Sequence, residues 1–431
     1  MNYDKKILED DISRNKKCRT GRGLILIQID GLSRAHLKKA VKKGNMPFLG
    51  KLVSNDQYKN PPLYSGVPST TPAVQGELFY GIKAIVPAFS FRDHESGKLF
   101  RMYDPEAADQ VEGRLCKRGR ALLKTGRSYG NIYSGGAQKA HFCIVSFEKE
   151  RLLTDFNLLK SFFIFYAYSK VFVKSIFLLG IELVLAIIDF FRGMLSGKNF
   201  FKELKMIFSR LAVTILLRDM MKTGAIFDIK SGTKKIIHLN FMGYDEHAHR
   251  RGPSSRFAYW TLKGIDAAVK EICNAACRSK IKDYDLWLYS DHGQEETVSY
   301  QNEQDNSLSH AVYSLFSENQ SHLAANTKTG NMTDEMNVEK FYHTFFQGGR
   351  FLHKFFPSIK TIREREELSV TAMGPLGHIY LPEKPDPDEK RRFGRMLAQT
   401  AKIPLVMMPD GADRVIAWNE TGEFVLPKHS R

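Results

Sequence analysis

The stretch KKIIHLNFMGYDEHAHRRGP, residues 234–253, joins an apolar strand pattern to a cluster of residue types that bind metal ions. Residues 234–239 are typical of the end of a buried strand, and Asp245, His247 and His249 follow directly. Carboxylates and imidazoles packed at the carboxyl end of a strand indicate a metal site. Taken alone, the stretch fits a solvated loop with histidines equally well, so the choice between the two depends on the rest of the chain.

Two other apolar runs end in carboxylates. GLILIQID, residues 23–30, ends in Asp30, and DLWLYSDHG, residues 285–293, closes with Asp291 and His292. Such runs are typical of buried parallel strands, and ligands collect at the carboxyl ends of these strands in open α/β sheets. Asp30 would also suit a helix N-cap. The serine at position 33 is the better cap, which leaves Asp30 for another role.

A hydroxyl cluster lies between two prolines in GVPSTTPAVQG, residues 66–76. We expect a helix to open near Pro72, with Thr70 or Thr71 at its N-terminus. The free N–H groups and the dipole of such an end stabilise a phosphate or an alkoxide. In isolation, an ordinary Ser/Thr N-cap is the simpler interpretation.

Composition and charge bound the class of protein. The chain has 431 residues, of which 43% are hydrophobic, enough for one large α/β domain with an insertion or for two domains. The net charge of +17 attracts nucleic acid, anionic lipid or phosphorylated substrates. Nucleic acid ranks last of the three because no RNA-binding aromatic signature stands out.

Cysteine usage and the N-terminal segment bear on the compartment. The five cysteines form no CxxC pair, which fits a reducing environment. Residues 1–22 are highly charged and lack the apolar segment of a secretory signal peptide. We therefore expect a cytoplasmic protein, either free or peripheral at the inner face of the membrane.

Residues 151–225 differ from the rest in being rich in Phe, Leu and Ile. If the segment is helical, its charged residues fall on one side and leave a wide apolar face. They are Lys170, Lys174, Glu182, Asp189 and Arg192. No stretch of ~20 residues is free of charge, which argues against a simple membrane span. Two interpretations stay open: an insertion that packs on itself or on a partner subunit, or a segment that lies on an anionic membrane surface.

Taken together, the strand ends supply a complete set of ligands for two cations. The residues are Asp30, Thr71, Asp245, His249, Asp291, His292 and His378. Three carboxylates and three imidazoles suit two zinc-like ions with mixed ligands. A pair of such ions can clamp the attacking and leaving oxygens of an in-line phosphoryl displacement, and an adjacent hydroxyl becomes the nucleophile.

The order of these motifs resembles the type I phosphodiesterase/nucleotide pyrophosphatase family, within the alkaline phosphatase superfamily. The matching motifs are Ile-Gln-Ile-Asp30-Gly, the spacing of Pro68, Thr71 and Gly81, Asp245 and His249 before Gly252-Pro253, Ser290 to Gly293, and Gly377-His378. The similarity covers nearly all of residues 23–295 and the region around His378. It implies an α/β fold with an alkaline-phosphatase-like, mostly parallel central sheet flanked by helices, together with a helical insertion.

The resemblance also implies roles for the residues. One ion would be held by Asp245, His249 and His378. The other would be held by Asp30, Asp291, His292 and Thr71, with Thr71 as the catalytic nucleophile that forms a phospho-threonine. Zinc is the expected metal, with manganese or iron as alternatives. Four further residues are expected around the ligands or against the substrate: His247, Thr70, Arg92 and Asn131.

The chain departs from the family pattern at one point. Secreted members place an asparagine downstream of the threonine to hold the phosphoryl oxygen, whereas this chain has Phe91-Arg92-Asp93 in that region. We expect the oxygen to be held by the helix end at Thr71 or Pro72, or by Arg92. The departure leaves the substrate class open.

The sequence predicts four segments along the chain. They are a charged tail (1–22), the first part of the catalytic α/β core (23–150), a helical apolar insertion that forms a cap or faces a membrane or partner (151–230), and the second part of the core (231–431). The predicted function is a two-metal phosphodiesterase acting on a small phosphorylated substrate. The alternatives are a phosphomonoesterase, phosphonate hydrolase or phosphomutase on the same fold, and a non-catalytic membrane-surface or assembly protein. A sulfatase is disfavoured because its Cys or Ser nucleophile motif is absent.

Overall fold

In the computed structural model, the described residues are 21–54, 58–83, 85–146, scattered positions from 180 to 194, 215–298, 300–318, 368–373, 376–381 and 385–427. Most of the tail predicted at 1–22 and most of the predicted insertion lie outside these residues. So does the aromatic-rich segment 338–356, which the sequence predicts to be helical in part.

The bounds of the elements follow in chain order. The strands are β1 (Arg22–Ile29), β2 (Ser90–Arg92), β3 (Leu99–Arg101), β4 (Arg127–Tyr129), β5 (Ala140–His141), β6 (Ile236–Phe241), β7 (Asp283–Tyr289), β8 (Ser369–Met373), β9 (Leu376–Tyr380), β10 (Val406–Asp410), β11 (Arg414–Asn419) and β12 (Gly422–Pro427). The α-helices are α1 (Arg34–Lys42), α2 (Pro47–Val53), α3 (Thr71–Tyr80), α4 (Pro105–Arg118), α5 (Arg218–Ser231), α6 (Gly243–Arg251), α7 (Arg256–Cys277), α8 (Tyr300–Gln304), α9 (Leu308–Glu318) and α10 (Pro387–Gln399).

The chain divides into two compact units. Within the described residues, the first unit holds 21–89 and 101–296, and the second holds 90–100 and the residues from 297 onward. These boundaries differ from the four segments predicted along the sequence, which stay a prediction.

A five-stranded sheet forms the centre of the first unit. Its strand order is β5-β4-β6-β1-β7, and each neighbouring pair is parallel. Helices flank the sheet, which confirms the predicted alkaline-phosphatase-like α/β fold. Because all five strands run the same way, their carboxyl ends meet at one edge.

The central strands are buried by helices, as their continuous apolar runs predict. Ile25 and Ile27 of β1 and Leu239 of β6 are fully buried in one cluster with side chains of α7. Each such side chain contributes about 1.5–3 kcal/mol to folding relative to an exposed one. The buried side of α7 includes Leu262, Ile265, Val269 and Ile272, whose helical spacing in the sequence predicts this helix.

Helix α5 lies at the end of the predicted insertion and packs into this same core. Met221, Ala225 and Ile229 are buried in the cluster, whereas Phe227 is exposed. In the part of the chain that the structure describes, no helix is both long enough and apolar enough to cross a membrane.

The second unit combines a three-stranded antiparallel sheet, β10-β11-β12, with the β8–β9 hairpin and two longer helices. Phe316, Phe393 and Trp418 form its core. Gly394 of α10 lies against the Trp418 ring, where any Cβ atom would overlap the indole. Helix α10 begins at Pro387, and the sequence predicts a helix from about Pro387 to Thr400.

The polar, turn-rich composition of residues 296–335 predicts a loop or lid, and this prediction is wrong for the first part of the segment. Helices α8 and α9 occupy much of 300–318, and the remainder lies outside the described residues. The segment is helical because Val312, Leu315 and Phe316 have helical spacing and pack against the core of the second unit.

Candidate active site

The ends of two neighbouring strands bring three predicted ligands together. Asp30 directly follows β1, and Asp291 and His292 follow β7, its parallel neighbour. One ligand atom from each residue lies within 4.8 Å of the other two. His292 Nε2 is 3.5 Å from Asp30 Oδ1 and 3.5 Å from Asp291 Oδ2. Both carboxylates are buried.

Thr71 reaches this cluster from the first residue of α3. Its Oγ1 lies 3.3 Å from Asp30 Oδ1 and 3.2 Å from His292 Nε2. The helix begins at Thr71 because Thr70 has extended dihedral angles and Pro72 occupies the first turn. Among the described residues, the buried Thr70 Oγ1 has no hydrogen-bond partner. Thr71 is therefore the hydroxyl that faces the carboxylates.

Burial makes the negative charges of the Asp30 and Asp291 carboxylates unfavourable. Desolvation raises the pKa of Asp30 well above its ordinary value, and repulsion from Asp291 and Asp245 adds to this. Desolvation, with repulsion from Asp245, also raises the pKa of Asp291. Burial works against protonated His292, but attraction to Asp291, Asp245 and Asp30 prevails and raises its pKa to about 9. A buried site that favours added positive charge suits a cation.

An unsatisfied oxygen supports the same interpretation. Within the described residues, Asp291 Oδ2 is buried and accepts no hydrogen bond. A buried carboxylate oxygen without a partner costs about 1–3 kcal/mol or more, and a coordinated cation would remove that cost. Carboxylate, imidazole and hydroxyl donors are also a ligand set that zinc and manganese accept.

Asp245 and His249 form a second group, one turn apart on α6. His249 Nε2 lies 3.2 Å from Asp245 Oδ2. Burial alone would raise the pKa of Asp245, but attraction to His249 and His292 and hydrogen bonds from His249 and Gln294 together lower that pKa to about 2. The spacing of four residues suits one turn of helix or a tight loop, and the structure has the helix, with both side chains on one face.

The two groups adjoin through Gly31, which directly follows Asp30. Gly31 has a φ of 71°, and a Cβ atom there would overlap Asp245 Oδ1. Its N–H donates to Asp291 Oδ1 at 3.4 Å. The glycine is therefore required both by the backbone conformation and by the space that the Asp245 carboxylate occupies.

Sequence reasoning missed Gln294. Its amide Nε2 donates to Asp245 Oδ1 and lies 2.8 Å from His249 Nε2. Gln294 directly follows the Asp-His-Gly motif, and this position was the only sequence feature that could have indicated a role in the site. A lone glutamine in a turn gives no pattern that distinguishes it from a solvated side chain.

A buried polar network holds α3 against the strands beneath Thr71. Gln75 Nε2 donates to Gln28 Oε1 and to Asn131 Oδ1, each at 3.1 Å, and Gln75 Oε1 accepts from the Ile132 N–H at 2.8 Å. Asn131 in turn donates to Ser128 Oγ at 2.8 Å. The Asn131 amide is thus engaged in anchoring α3.

Two other predicted residues have contacts away from the carboxylate cluster. His247 is buried on α6, and its Nδ1 lies 2.8 Å from the Gly243 carbonyl oxygen and 3.2 Å from Thr261 Oγ1 of α7. Arg92 belongs to the second unit, where its N–H donates to the Tyr380 hydroxyl at 2.9 Å and its guanidinium lies 5.4 Å from the Tyr380 ring centroid.

His378 also belongs to the second unit. It lies on β9 opposite Thr371 of β8. Its Nδ1 is buried and has no hydrogen-bond partner among the described residues. Its predicted place beside Asp245 and His249 stays a prediction.

Comparison with protein families gives a match over part of the chain. Residues 200–384 match the model of the family described as type I phosphodiesterase / nucleotide pyrophosphatase. The match confirms the resemblance read from the motifs, and this phosphodiesterase family is a member of the alkaline phosphatase superfamily. It supports a hydrolase of the phosphodiesterase/pyrophosphatase type. No curated protein matches the chain.

The match covers part of the candidate site. Asp245, His249, Asp291, His292 and His378 lie inside residues 200–384. Asp30 and Thr71 precede that segment and enter the site through the fold, because β1 pairs with β6 and β7 of the matched segment. The phosphodiesterase match and the geometry therefore point to the same edge of the sheet from different parts of the chain.

Proposed function

We propose that this protein is a two-metal phosphodiesterase or nucleotide pyrophosphatase in which Thr71 is the nucleophile. The observation that carries the proposal is the position of Thr71 Oγ1, 3.3 Å from Asp30 Oδ1 and 3.2 Å from His292 Nε2. A hydroxyl held among buried carboxylates and an imidazole, at a helix N-terminus, is suited to attack a phosphorus atom.

The reaction would proceed in two displacements. Thr71 Oγ1 forms a bond to phosphorus while its proton passes to Asp30 Oδ1, which accepts its hydrogen bond. The bond from phosphorus to the leaving oxygen breaks, and that group departs with the electron pair and takes a proton from water. In the second displacement, water attacks phosphorus and gives up a proton to the hydroxide formed in the first displacement. The bond to Oγ1 breaks, Oγ1 takes back the proton held by Asp30, and a phosphomonoester is released.

The helix end supplies part of the charge stabilisation. Thr71 is the first residue of α3, where the positive end of the helix dipole faces the phosphoryl group. Such an end favours an anion by about 0.3–1 kcal/mol, and by up to about 2 kcal/mol when partly buried. This contribution is small beside the barrier of a phosphoryl transfer, so further positive charge is required.

Two divalent ions are proposed to supply that charge. Asp30, Asp291, His292 and Thr71 would hold one, and Asp245, His249 and His378 the other. When bound, such ions stabilise negative charge on the attacking and leaving oxygens. The mixed carboxylate and imidazole ligands suit zinc first, with manganese and iron as alternatives.

The test compares a phosphodiester with a phosphomonoester. Purified protein with added zinc or manganese should hydrolyse bis-p-nitrophenyl phosphate faster than p-nitrophenyl phosphate. Thr71→Ala should lose at least about 10³-fold of this activity, because it removes the attacking atom. Thr233→Ala is the matched control, since Thr233 is an exposed threonine in the loop after α5.

A second readout identifies the intermediate directly. Acid quenching during turnover, followed by peptide mass spectrometry, should locate a p-nitrophenyl phosphoryl group on Thr71. Undiminished turnover by Thr71→Ala would refute the nucleophile assignment. Faster hydrolysis of the monoester would instead favour the phosphomonoesterase alternative.

A further inference from the structure

Gln294 stands between the two side chains of the second ligand group. Its Nε2 donates to Asp245 Oδ1 and lies 2.8 Å from His249 Nε2. The side chain is only 9% exposed, whereas the next residues, Glu295 and Glu296, are exposed. The chain therefore buries this one amide and leaves the two neighbouring carboxylates in solvent.

The backbone before Gln294 explains how the amide reaches α6. Gly293 packs directly on Ser33, and a Cβ atom at position 293 would lie 2.9 Å from Ser33 Cβ. The close approach holds the turn after His292 against the start of α1. Gln294 thus follows the Asp291 and His292 ligands immediately and contacts Asp245 and His249 as well. A single short segment touches both proposed cation sites.

The chemistry of an amide decides what Gln294 does there. Its NH₂ group has two hydrogens. One is donated to the Asp245 carboxylate oxygen, and the other faces His249 Nε2, which accepts it when that nitrogen carries no proton. These are the atoms that would hold a cation, so the NH₂ group stands where positive charge is wanted. It is neutral, however, and cannot replace the charge of an ion.

The other end of the amide is a carbonyl oxygen, which is a good ligand for divalent cations. A half-turn of the amide about its last bond exchanges Nε2 and Oε1. A cation between Asp245 and His249 would repel the NH₂ group of Gln294 and attract its Oε1 atom.

We propose that Gln294 is a direct ligand of the second cation, presenting Oε1 to the ion held by Asp245 and His249. In the metal-free protein, its NH₂ group bonds the same two residues and keeps them in position. The inference rests on the proposed function, because it requires that a cation binds at this group. It adds a neutral oxygen ligand that the Asp and His pattern does not contain.

Manganese is the probe for the test, because oxygen ligands suit Mn²⁺ well. The full-length chain, stripped with a chelator, is titrated with Mn²⁺ by isothermal calorimetry, and bound metal is counted by mass spectrometry. Gln294→Met keeps the length of the side chain but removes the oxygen. Its Mn²⁺ affinity at one site should fall at least about 10-fold. Gln301→Met, at an exposed glutamine of α8, should bind as the original protein does.

A second variant decides the case if Gln294→Met does not fold. Gln294→Glu places an anionic oxygen at the same point and should bind Mn²⁺ more tightly than the original protein. Unchanged or tighter binding by Gln294→Met, or unchanged or weaker binding by Gln294→Glu, would overturn the inference. If the original protein itself binds fewer than two ions, the two-metal proposal fails instead, so the two failures are distinguishable.

Discussion

The Thr71 hydroxyl lies 3.3 Å from the Asp30 carboxylate, although 41 residues separate them in the chain. Asp30 is fixed by the end of β1, and Thr71 by the start of α3. One turn along α3, Gln75 bonds Gln28, which lies two residues before Asp30. A buried amide pair beneath the site therefore sets the distance between the Thr71 hydroxyl and the Asp30 carboxylate.

Replacing Gln75 with leucine should destabilise the protein. The change leaves the Ile132 N–H and the Asn131 side-chain oxygen without their Gln75 partner, whereas the Gln28 oxygen keeps the hydrogen bond from the Tyr289 hydroxyl. Leaving buried polar groups unsatisfied costs about 1–3 kcal/mol each when no water replaces the partner. We expect a loss of about 2–4 kcal/mol in the free energy of unfolding, measured in urea.

Gln110→Leu is the control for this prediction, because the Gln110 amide bonds Glu106 on the surface of α4. It should change stability by no more than about 0.5 kcal/mol. Equal midpoints for the two variants would show that the network beneath Thr71 contributes nothing.

How far the sequence predicts this site depends on how local each signal is. Asp30, Asp291 and Thr71 were predicted because the residues next to them in the sequence indicate a strand end or a helix start. Gln75 and Gln294 were not, because their partners are distant in the chain and an amide carries no spacing pattern. Their roles follow only from the packing of α3 and of the turn after β7.

The same reasoning explains the error in the second unit. The segment around α9 is mostly polar, which favoured a loop. Its helix is stabilised by Val312, Leu315 and Phe316, whose partners include Phe393 and Trp418, far along the chain. Tertiary packing thus overrode the local composition.

Neutralising Asp291 should have opposite effects with and without metal. In the chelated protein, Asp291→Asn removes a buried charge that repels Asp30, so the free energy of unfolding should rise by about 1 kcal/mol. With saturating zinc, the original protein should gain about 2.7 kcal/mol at 100 times the Kd, and the variant should gain far less. Thermal unfolding in both conditions measures the two effects.

Asp285→Asn is the control for Asp291→Asn, since Asp285 lies on the same strand segment and forms an exposed ion pair with Arg22. It should keep the full gain on zinc addition. A metal-dependent gain that survives in Asp291→Asn would contradict the assignment of this carboxylate as a ligand.

Buried His238 should make the protein less stable at acid pH. Desolvation lowers its pKa to about 3 from an ordinary value of 6.5. Below about pH 6.5, His238 therefore binds a proton in the unfolded chain but stays neutral in the folded chain. As a result, the free energy of unfolding falls as the pH drops from 6.5 towards 3. Between pH 6.5 and pH 5 this group should cost about 2 kcal/mol, at about 1.4 kcal/mol per pH unit.

His238→Gln should remove most of that acid-dependent loss, while its stability at pH 7 falls because the Tyr289 contact changes. His94→Gln, at an exposed histidine, should leave the acid-dependent loss intact. Unfolding in urea at pH 7 and pH 5 provides the comparison. An unchanged difference between the two pH values in His238→Gln would rule out His238 as its source.

Gly31 and Gly44 provide a matched pair for testing the junction between the two ligand groups. Both have a φ of 71°, but a Cβ atom would overlap Asp245 Oδ1 at Gly31 and meets nothing within 4 Å at Gly44. Alanine at either position should cost about 1–2 kcal/mol of backbone strain. Gly31→Ala should also displace Asp245 and weaken binding of one of the two ions in calorimetric titration, whereas Gly44→Ala should bind both as before. Equal metal binding by the two variants would mean that the Asp245 carboxylate is not a ligand.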